Sequence, residues 1–351
     1  MKTYNLLIVT VLALTLGSCG NKTTADNDFF TISIKNQKKG YTTSDMVSVS
    51  VKNKKNKSVD SVVYTLNSNR ISSSEALSET SIPLNNLKLG AQTITSTIYS
   101  EGESFVAAEK IIVLSSVTPK LYTYKILETY PHDIKAYTQG LEFINDTLYE
   151  STGTYKLSSL RKTNYTTGEV LQQIDLPDSY FGEGLTIMND KIYQLTWREK
   201  TGFIYNLSDM KKTGTFVYGK SKEGWGLCND GTTIYKSDGT QKIWTLDSNT
   251  LAEVDYIELY TNTSKIPKVN ELEWVNGKIY ANIYEKDAIA IVDPSNGAVE
   301  GVIDLSDLKS KVTQHKDLNV LNGIAYKGEE NILYITGKNW DTLFKVEVIL
   351  K

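Results

Sequence analysis

The chain has 351 residues, with 38 Lys and Arg against 41 Asp and Glu and a formal net charge of -3. That near-neutral balance argues against nucleic acid as a partner, and the length allows two or three domains. Two His and two Cys are too sparse for the several His or Cys ligands of a catalytic zinc site, so no catalytic metal and no cofactor are expected, while a structural calcium on Asp and carbonyl oxygens stays open.

At the N-terminus Lys2 is followed by an apolar run from Leu6 to Leu16, too short to span a bilayer and flanked as a secretory signal is. The ending Leu16-Gly-Ser-Cys19 resembles a bacterial lipobox. That resemblance implies a signal peptide over 1–19, lipid on Cys19, and an exported protein anchored by lipid to the cell envelope. Residues 20–28 are polar and read as a tether. With Cys19 lipidated, Cys228 is the one remaining thiol and no intrachain disulfide can form. Cys228 falls on an apolar strand position and reads as buried filler.

Residues 29–118 carry strand-like runs at Phe29–Ile34, Met46–Val51, Ser61–Leu66, Thr93–Tyr99 and Lys110–Leu114, separated by Ser, Asn and Lys turns. Alternation over about ninety residues predicts a small immunoglobulin-like β-sandwich. The basic segment Lys52–Lys57 reads as a solvated hairpin turn. No catalytic constellation occurs here, and a spacer or partner-binding module is the expectation.

From 119 to 351 a phrase recurs five times. It runs Gly140-Leu-Glu-Phe-Ile-Asn-Asp-Thr-Leu-Tyr149, Gly184-Leu-Thr-Ile-Met-Asn-Asp-Lys-Ile-Tyr193 and Gly226-Leu-Cys-Asn-Asp-Gly-Thr-Thr-Ile-Tyr235. It returns as Glu271-Leu-Glu-Trp-Val-Asn-Gly-Lys-Ile-Tyr280 and Gly323-Ile-Ala-Tyr-Lys-Gly-Glu-Glu-Asn-Ile-Leu-Tyr334. Each copy is an alternating strand, a turn of residues that tolerate positive φ, and a strand ending in Tyr, which is a β-hairpin. Start-to-start steps of 44, 42, 45 and 52 residues match one four-stranded propeller blade. Outer strands are expected at Leu160–Thr163, Gly202–Tyr205, Ile243–Leu246 and Ala288–Val292. Leu121–Leu127 and Thr342–Val348 are the strands to close a five-bladed ring. The fold class is therefore all-β, a five-bladed β-propeller preceded by a β-sandwich.

In such a ring the residues at the start of each first strand converge on the axis. They are Gln139, Glu183, Trp225, Asn270 and Asn322, of which only Glu183 is ionisable. Second-strand ends add Trp197 and Lys338. A lone carboxylate beside indoles is a candidate general acid/base, because apolar walls raise its pKa. The competing structural readings are a Glu183 that ties strands together through backbone hydrogen bonds, core indoles and a surface lysine. His132 and His315 stand far apart, and His132 falls in the loop entering the first repeat.

The motifs resemble the plant and bacterial glutaminyl-peptide cyclotransferases. The resemblance rests on Tyr130-Pro-His-Asp133, Tyr137-Thr-Gln-Gly-Leu141, Tyr149-Glu-Ser-Thr-Gly153, Ser159-Leu-Arg161, Phe181-Gly-Glu-Gly-Leu185 and Gln194-Leu-Thr-Trp197. It continues through Glu223-Gly-Trp-Gly-Leu227, Ser237-Asp-Gly239, Asn270-Glu-Leu-Glu273, Leu321-Asn-Gly-Ile-Ala325 and Thr336-Gly-Lys338, so it spans about 120–348 in one order. It implies a metal-independent, five-bladed enzyme that turns the N-terminal glutamine of peptides or proteins into pyroglutamate with loss of ammonia. It further implies Glu183 as acid/base, with Lys338 and Asn270 beside the reacting carboxamide. Gln139, Phe181, Trp197, Trp225 and Asn322 fall at substrate-binding positions. Tyr284 stands where the family commonly has a pocket Trp, which puts side-chain preference or affinity in doubt. The partners implied are Gln-initiated peptides and the membrane through its lipid, with the protein a monomer. A non-catalytic cell-surface propeller that binds peptide or glycan is the alternative. A lactonase-like hydrolase, which wants a metal ring of carboxylates, fits less well.

Overall fold

The computed structural model describes residues 28–74 and 77–351. The expected signal segment, Cys19 and the tether up to its last residue lie outside them. The protein is all-β: among the described residues the sole helix is a single 3-10 turn, Leu308–Lys311. No helix among them is long and apolar enough to cross a membrane.

The chain divides into two compact units. One takes residues to 35 with 48–81 and 93–109, the other 36–47, 82–92 and 110–351. The N-terminal strands are β1 (Phe30–Ile34), β2 (Tyr41–Thr42), β3 (Met46–Asn53), β4 (Ser61–Leu66), β5 (Asn69–Ser74), β6 (Thr80–Pro83), β7 (Gly90–Ser100) and β8 (Glu103–Leu114). They order as β1-β3-β6 and β2-β8-β7-β4-β5. Alternation decides their inner faces: Val49 and Val51 on β3, Val62, Tyr64 and Leu66 on β4, and Ile94 and Ile98 on β7 are buried. Phe30 meets Phe105 ring to ring at 5.3 Å. Strands β2, β5 and β6 are short or weakly patterned and carry no clear sequence signal.

The repeat region begins with β9 (Lys120–Pro131) and continues as four-stranded antiparallel meanders. The first holds β10 (Thr138–Ile144), β11 (Thr147–Thr152), β12 (Ser159–Asn164) and β13 (Glu169–Asp175). The second holds β14 (Gly182–Met188), β15 (Lys191–Thr196), β16 (Thr201–Asn206) and β17 (Lys212–Val217). The third holds β18 (Leu227–Asn229), β19 (Ile234–Ser237), β20 (Lys242–Leu246) and β21 (Glu253–Glu258). Then come β22 (Val269–Val275), β23 (Lys278–Ile283), β24 (Ala288–Val292), β25 (Val299–Asp304), β26 (Leu321–Ala325), β27 (Ile332–Gly337) and β28 (Thr342–Leu350). The repeated phrase is in each case a hairpin of first and second strand. Asn189 and Asp190, and Asn276 and Gly277, all have φ between 48° and 83°, which matches the right-handed twist of two-residue hairpins.

The last two hairpins merge into one eight-stranded sheet, β22-β23-β24-β25-β9-β28-β27-β26. β9 pairs antiparallel with β28 and, on its other edge, parallel with β25 through Gly301↔Lys120 to Ile303↔Tyr122. The two ends of the repeat region thus share a sheet, and β9 covers what would otherwise be open edges of β25 and β28.

The five first strands contact one another in a cycle, β10 to β14, β18, β22, β26 and back to β10. Five apolar clusters fill the spaces between successive sheets. One joins Tyr149 and Leu160 to Ile187 and Phe203, and another closes the circuit with Leu141 and Phe143 against Tyr334 and Leu343. Burial falls from first strand to last: β14 is buried throughout, while β13 is largely exposed. Neighbouring first strands come so close that a Cβ on Gly226 would stand 2.2 Å from the Asn270 carbonyl oxygen, which explains the Gly that opens the phrase. In the fourth copy Glu271 replaces that Gly, and its carboxylate accepts a hydrogen bond from Ile324 N at 3.0 Å.

Candidate active site

First and second strands run antiparallel, so the start of one and the end of the other lie at the same end of each sheet. The repeat therefore gathers side chains from both. Tyr137, Gln139, Phe181, Glu183, Trp197, Trp225, Asn270, Tyr284 and Lys338 line one cavity of about 250 Å³. Eight of these nine are residues singled out in the sequence. Asn322 stands one layer back, buried, donating to Thr138 O at 2.9 Å and to Gln139 Oε1 at 3.3 Å. Tyr137 was missed as a lining residue, yet it precedes Gln139 by two as Phe181 precedes Glu183. The same offset ahead of Trp225 marks Glu223. Gly153 and Gly239 leave room for the aromatic walls, since a Cβ there would stand 2.3 Å from the Phe181 ring and 2.4 Å from the Trp225 ring.

Glu183 is 4% exposed, and its Oε2 is buried without a hydrogen-bond partner. Its main-chain oxygen accepts from the Ser151 hydroxyl, so the strand is held independently of the carboxyl. Burial pushes that carboxyl well above the ordinary carboxylate range; Lys338 pulls it back in part, while Glu223 and Glu199 add to the push. Burial likewise lowers the Lys338 ammonium to about 8, opposed by Glu183. The Lys338 Nζ lies 4.8 Å from the Tyr137 ring centre and 5.6 Å from that of Tyr284, a cationic group held over aromatic faces. Asn270 Oδ1 is the second buried, unpartnered polar atom of the lining. Such atoms are rare in folded proteins, and two of them in one cavity beside a buried ammonium mark where ligand polar groups go.

Glu223 organises one wall. Its Oε2 accepts from Trp197 Nε1 at 2.8 Å and Trp225 Nε1 at 2.9 Å, and its Oε1 from Arg198 Nε at 3.0 Å. Desolvation works to raise its pKa, but those three donors together hold it below the usual range. The rings of Phe181 and Trp197 lie 5.5 Å apart, and those of Trp225 and Tyr284 lie 5.6 Å apart.

Other polar groups stay out of the cavity. His132 is buried, with Nδ1 2.7 Å from Trp340 O and Nε2 3.1 Å from Glu150 Oε1. His315 Nε2 lies 2.8 Å from Asn339 O. Cys228 is buried in an apolar cluster, matching its expected role as filler. Further along the first strands sit three buried carboxyls that the aligned positions did not reveal. Burial pushes Glu142 up to about 8, and Glu271 and Glu273 well above the ordinary range. Glu142 accepts from Thr186 Oγ1 at 2.8 Å and Glu273 from Tyr326 N at 2.8 Å, bridging neighbouring first strands.

A sequence model of the family described as glutamine cyclotransferase matches residues 96–348. The chain belongs to the glutamine cyclotransferase family. Within that family it is 38% identical over 229 residues to an Arabidopsis thaliana protein named glutaminyl-peptide cyclotransferase, covering 64% of this chain and 71% of the relative. The crystal structure of Myxococcus xanthus glutaminyl cyclase superposes with a TM-score of 0.61 at 32% identity, covering 66% of this chain and 99% of that one. The glutamine cyclotransferase match takes in all nine lining residues and leaves the strands before residue 96 unmatched.

Proposed function

We propose that the chain is a glutaminyl-peptide cyclotransferase acting on peptides or proteins with an N-terminal glutamine, with Glu183 as its single acid/base group. Family membership supports the activity, and the unpartnered Glu183 Oε2 in a polar–aromatic cavity is the observation that carries the mechanism. A volume of about 250 Å³ is below that of drug-sized ligand pockets and fits one residue at a chain terminus.

The α-nitrogen of the substrate attacks Cδ of its own side-chain carboxamide. Glu183, as carboxylate, takes a proton from that nitrogen and returns it to the amide nitrogen. The Cδ–N bond then breaks and ammonia leaves. Because attack is intramolecular, holding the side chain folded over the amine supplies much of the acceleration. Lys338 and Asn270 flank the carboxamide, the ammonium facing the oxygen that gains charge and Asn270 Oδ1 taking a substrate N–H. Gln139 and the rings of Phe181, Trp197, Trp225 and Tyr284 form the walls, and Asn322 supports Gln139 from behind. The lining residues offer one carboxylate and neither His nor Cys, which supports turnover without a metal.

The architecture we infer is a five-bladed propeller, residues 119–351, preceded by an immunoglobulin-like sandwich, residues 29–118. The cycle of first strands and the circuit of apolar clusters support it. The lipobox-like Leu16-Gly-Ser-Cys19 supports export and lipid anchoring to the cell envelope. Replacing Cys19 with Ala moves the protein out of the membrane fraction if the anchor is real. The test of the activity is ammonia release from a Gln-initiated peptide, with and without a chelator. Release unaffected by chelation is expected; no release, with peptide still bound, favours the non-catalytic binding reading.

A further inference from the structure

Every partner of the Glu223 carboxylate belongs to the cavity wall or its rim: the two indoles and Arg198, whose guanidinium carbon lies 3.7 Å from the Trp197 ring centre. The main chain at this point is held without it. Glu223 O accepts from the buried Lys236 Nζ at 2.9 Å and from Ser221 Oγ at 3.1 Å. Gly224 N donates to Trp197 O at 2.8 Å, and Tyr218 Oη donates to Thr196 O at 2.9 Å. Lys236 in turn is satisfied by Glu253 Oε1 at 2.9 Å and Ser221 Oγ at 2.8 Å. The backbone is thus anchored twice over, and the carboxylate is left with work only inside the cavity.

Trp197 directly follows the second strand of one meander, and Trp225 precedes the first strand of the next. No hydrogen bond within either sheet sets the angle between their rings. A single oxygen shared by two indole N–H groups does. Arg198 donates to the other oxygen, so both carboxylate oxygens have partners.

We propose that Glu223 is a positioning residue that sets both indole walls for substrate. This rests on the cyclotransferase reading above. A carboxylate that accepts from two indoles fixes two planes with one group, and stronger charge-assisted bonds hold them better than a neutral acceptor. Its negative charge disfavours the ionised form of Glu183, in the same direction as burial.

The experiment compares Glu223→Ala and Glu223→Gln with the wild-type protein, using a Gln-initiated peptide over a range of pH. Glu223→Ala is expected to raise KM about tenfold or more, the size of effect that misplaced walls produce. Glu223→Gln keeps one oxygen acceptor for the indoles and is expected to recover most of that loss. In both variants the acid limb of the rate profile moves to lower pH, because a charge near Glu183 has gone. Melting temperatures stay close to wild type. The indole N–H resonances of Trp197 and Trp225, assigned through Trp197→Phe and Trp225→Phe, shift in Glu223→Ala. Unchanged KM and unchanged resonances in Glu223→Ala overturn the proposal. So do equal losses in both variants with a lowered melting temperature, which mark a structural residue. If the wild-type protein releases no ammonia, the functional reading fails, and the indole resonances still decide what Glu223 holds.

Discussion

Glu183→Gln separates chemistry from folding more sharply than any other change to this protein. The side chains are isosteric, and Glu183 Oε2 has no protein partner to lose. What disappears is the proton carrier, and general acid/base groups contribute about a hundred- to ten-thousand-fold. That is about 3 to 5 kcal/mol of barrier at roughly 1.4 kcal/mol per factor of ten. A further loss follows through Lys338, whose pKa of about 8 is held up by Glu183 against burial. Without that charge the lysine is neutral at lower pH, and less of it is cationic in the assay. Stability moves the other way. The folded-state pKa of Glu183 is raised, so the carboxyl's contribution is intact below the ordinary Glu value and is lost as pH rises through the folded value. Glutamine does not ionise, so the variant is expected to match wild type at pH 4 and to melt higher at pH 8 and above. The assays are ammonia release under saturating peptide and thermal melts across pH. A variant within tenfold of wild-type kcat, or one that melts lower at pH 8, refutes the assignment of Glu183 as a buried acid/base.

Lys338→Met is expected to cut kcat on the order of a hundredfold, the usual cost of one oxyanion donor, and to abolish a falling alkaline limb centred near the lysine's value of about 8. A limb that survives the substitution belongs to another group. For His132, burial alone lowers the pKa, yet the Glu150 carboxylate outweighs it and the net shift is upward. The pair's stabilisation from this side is present below the ordinary His value and lost as pH rises through the folded one. His132→Asn should therefore cost about 3 kcal/mol at pH 6 and visibly less at pH 9, read by denaturant melts. Gly226→Ala should cost about 1 to 3 kcal/mol or more, because its Cβ would stand 2.2 Å from the Asn270 carbonyl and press two first strands apart. A variant as stable as wild type refutes the close approach.

Local order was legible because it depends on near neighbours. Alternation and Asn-Asp or Asn-Gly pairs specify hairpins through φ/ψ preferences that act over a few residues, and the repeat spacing then aligns equivalent positions. That alignment found Gln139, Glu183, Trp225 and Asn270, the second-strand ends added Trp197 and Lys338, and the resemblance added Phe181 and Tyr284. Applied two residues earlier, the same alignment also reaches Tyr137 and Glu223. Asn322 obeys the alignment but turns toward Gln139, a choice made by its hydrogen bonds to the neighbouring strand.

Other features have no local cause. The parallel pairing of β9 with β25 joins residues about 180 apart in the chain, and periodicity cannot announce it. Glu142, Glu271 and Glu273 look like solvent-facing positions in an alternating strand, and only the neighbouring first strands bury them. The shared oxygen of Glu223 arises where two separate meanders meet. Short-range backbone and side-chain preferences thus define the strands, turns and repeat from sequence alone. Charge state, hydrogen-bond sharing and the order of the eight-stranded sheet come from groups distant in the chain, because desolvation and pairing are set by what surrounds an atom in space.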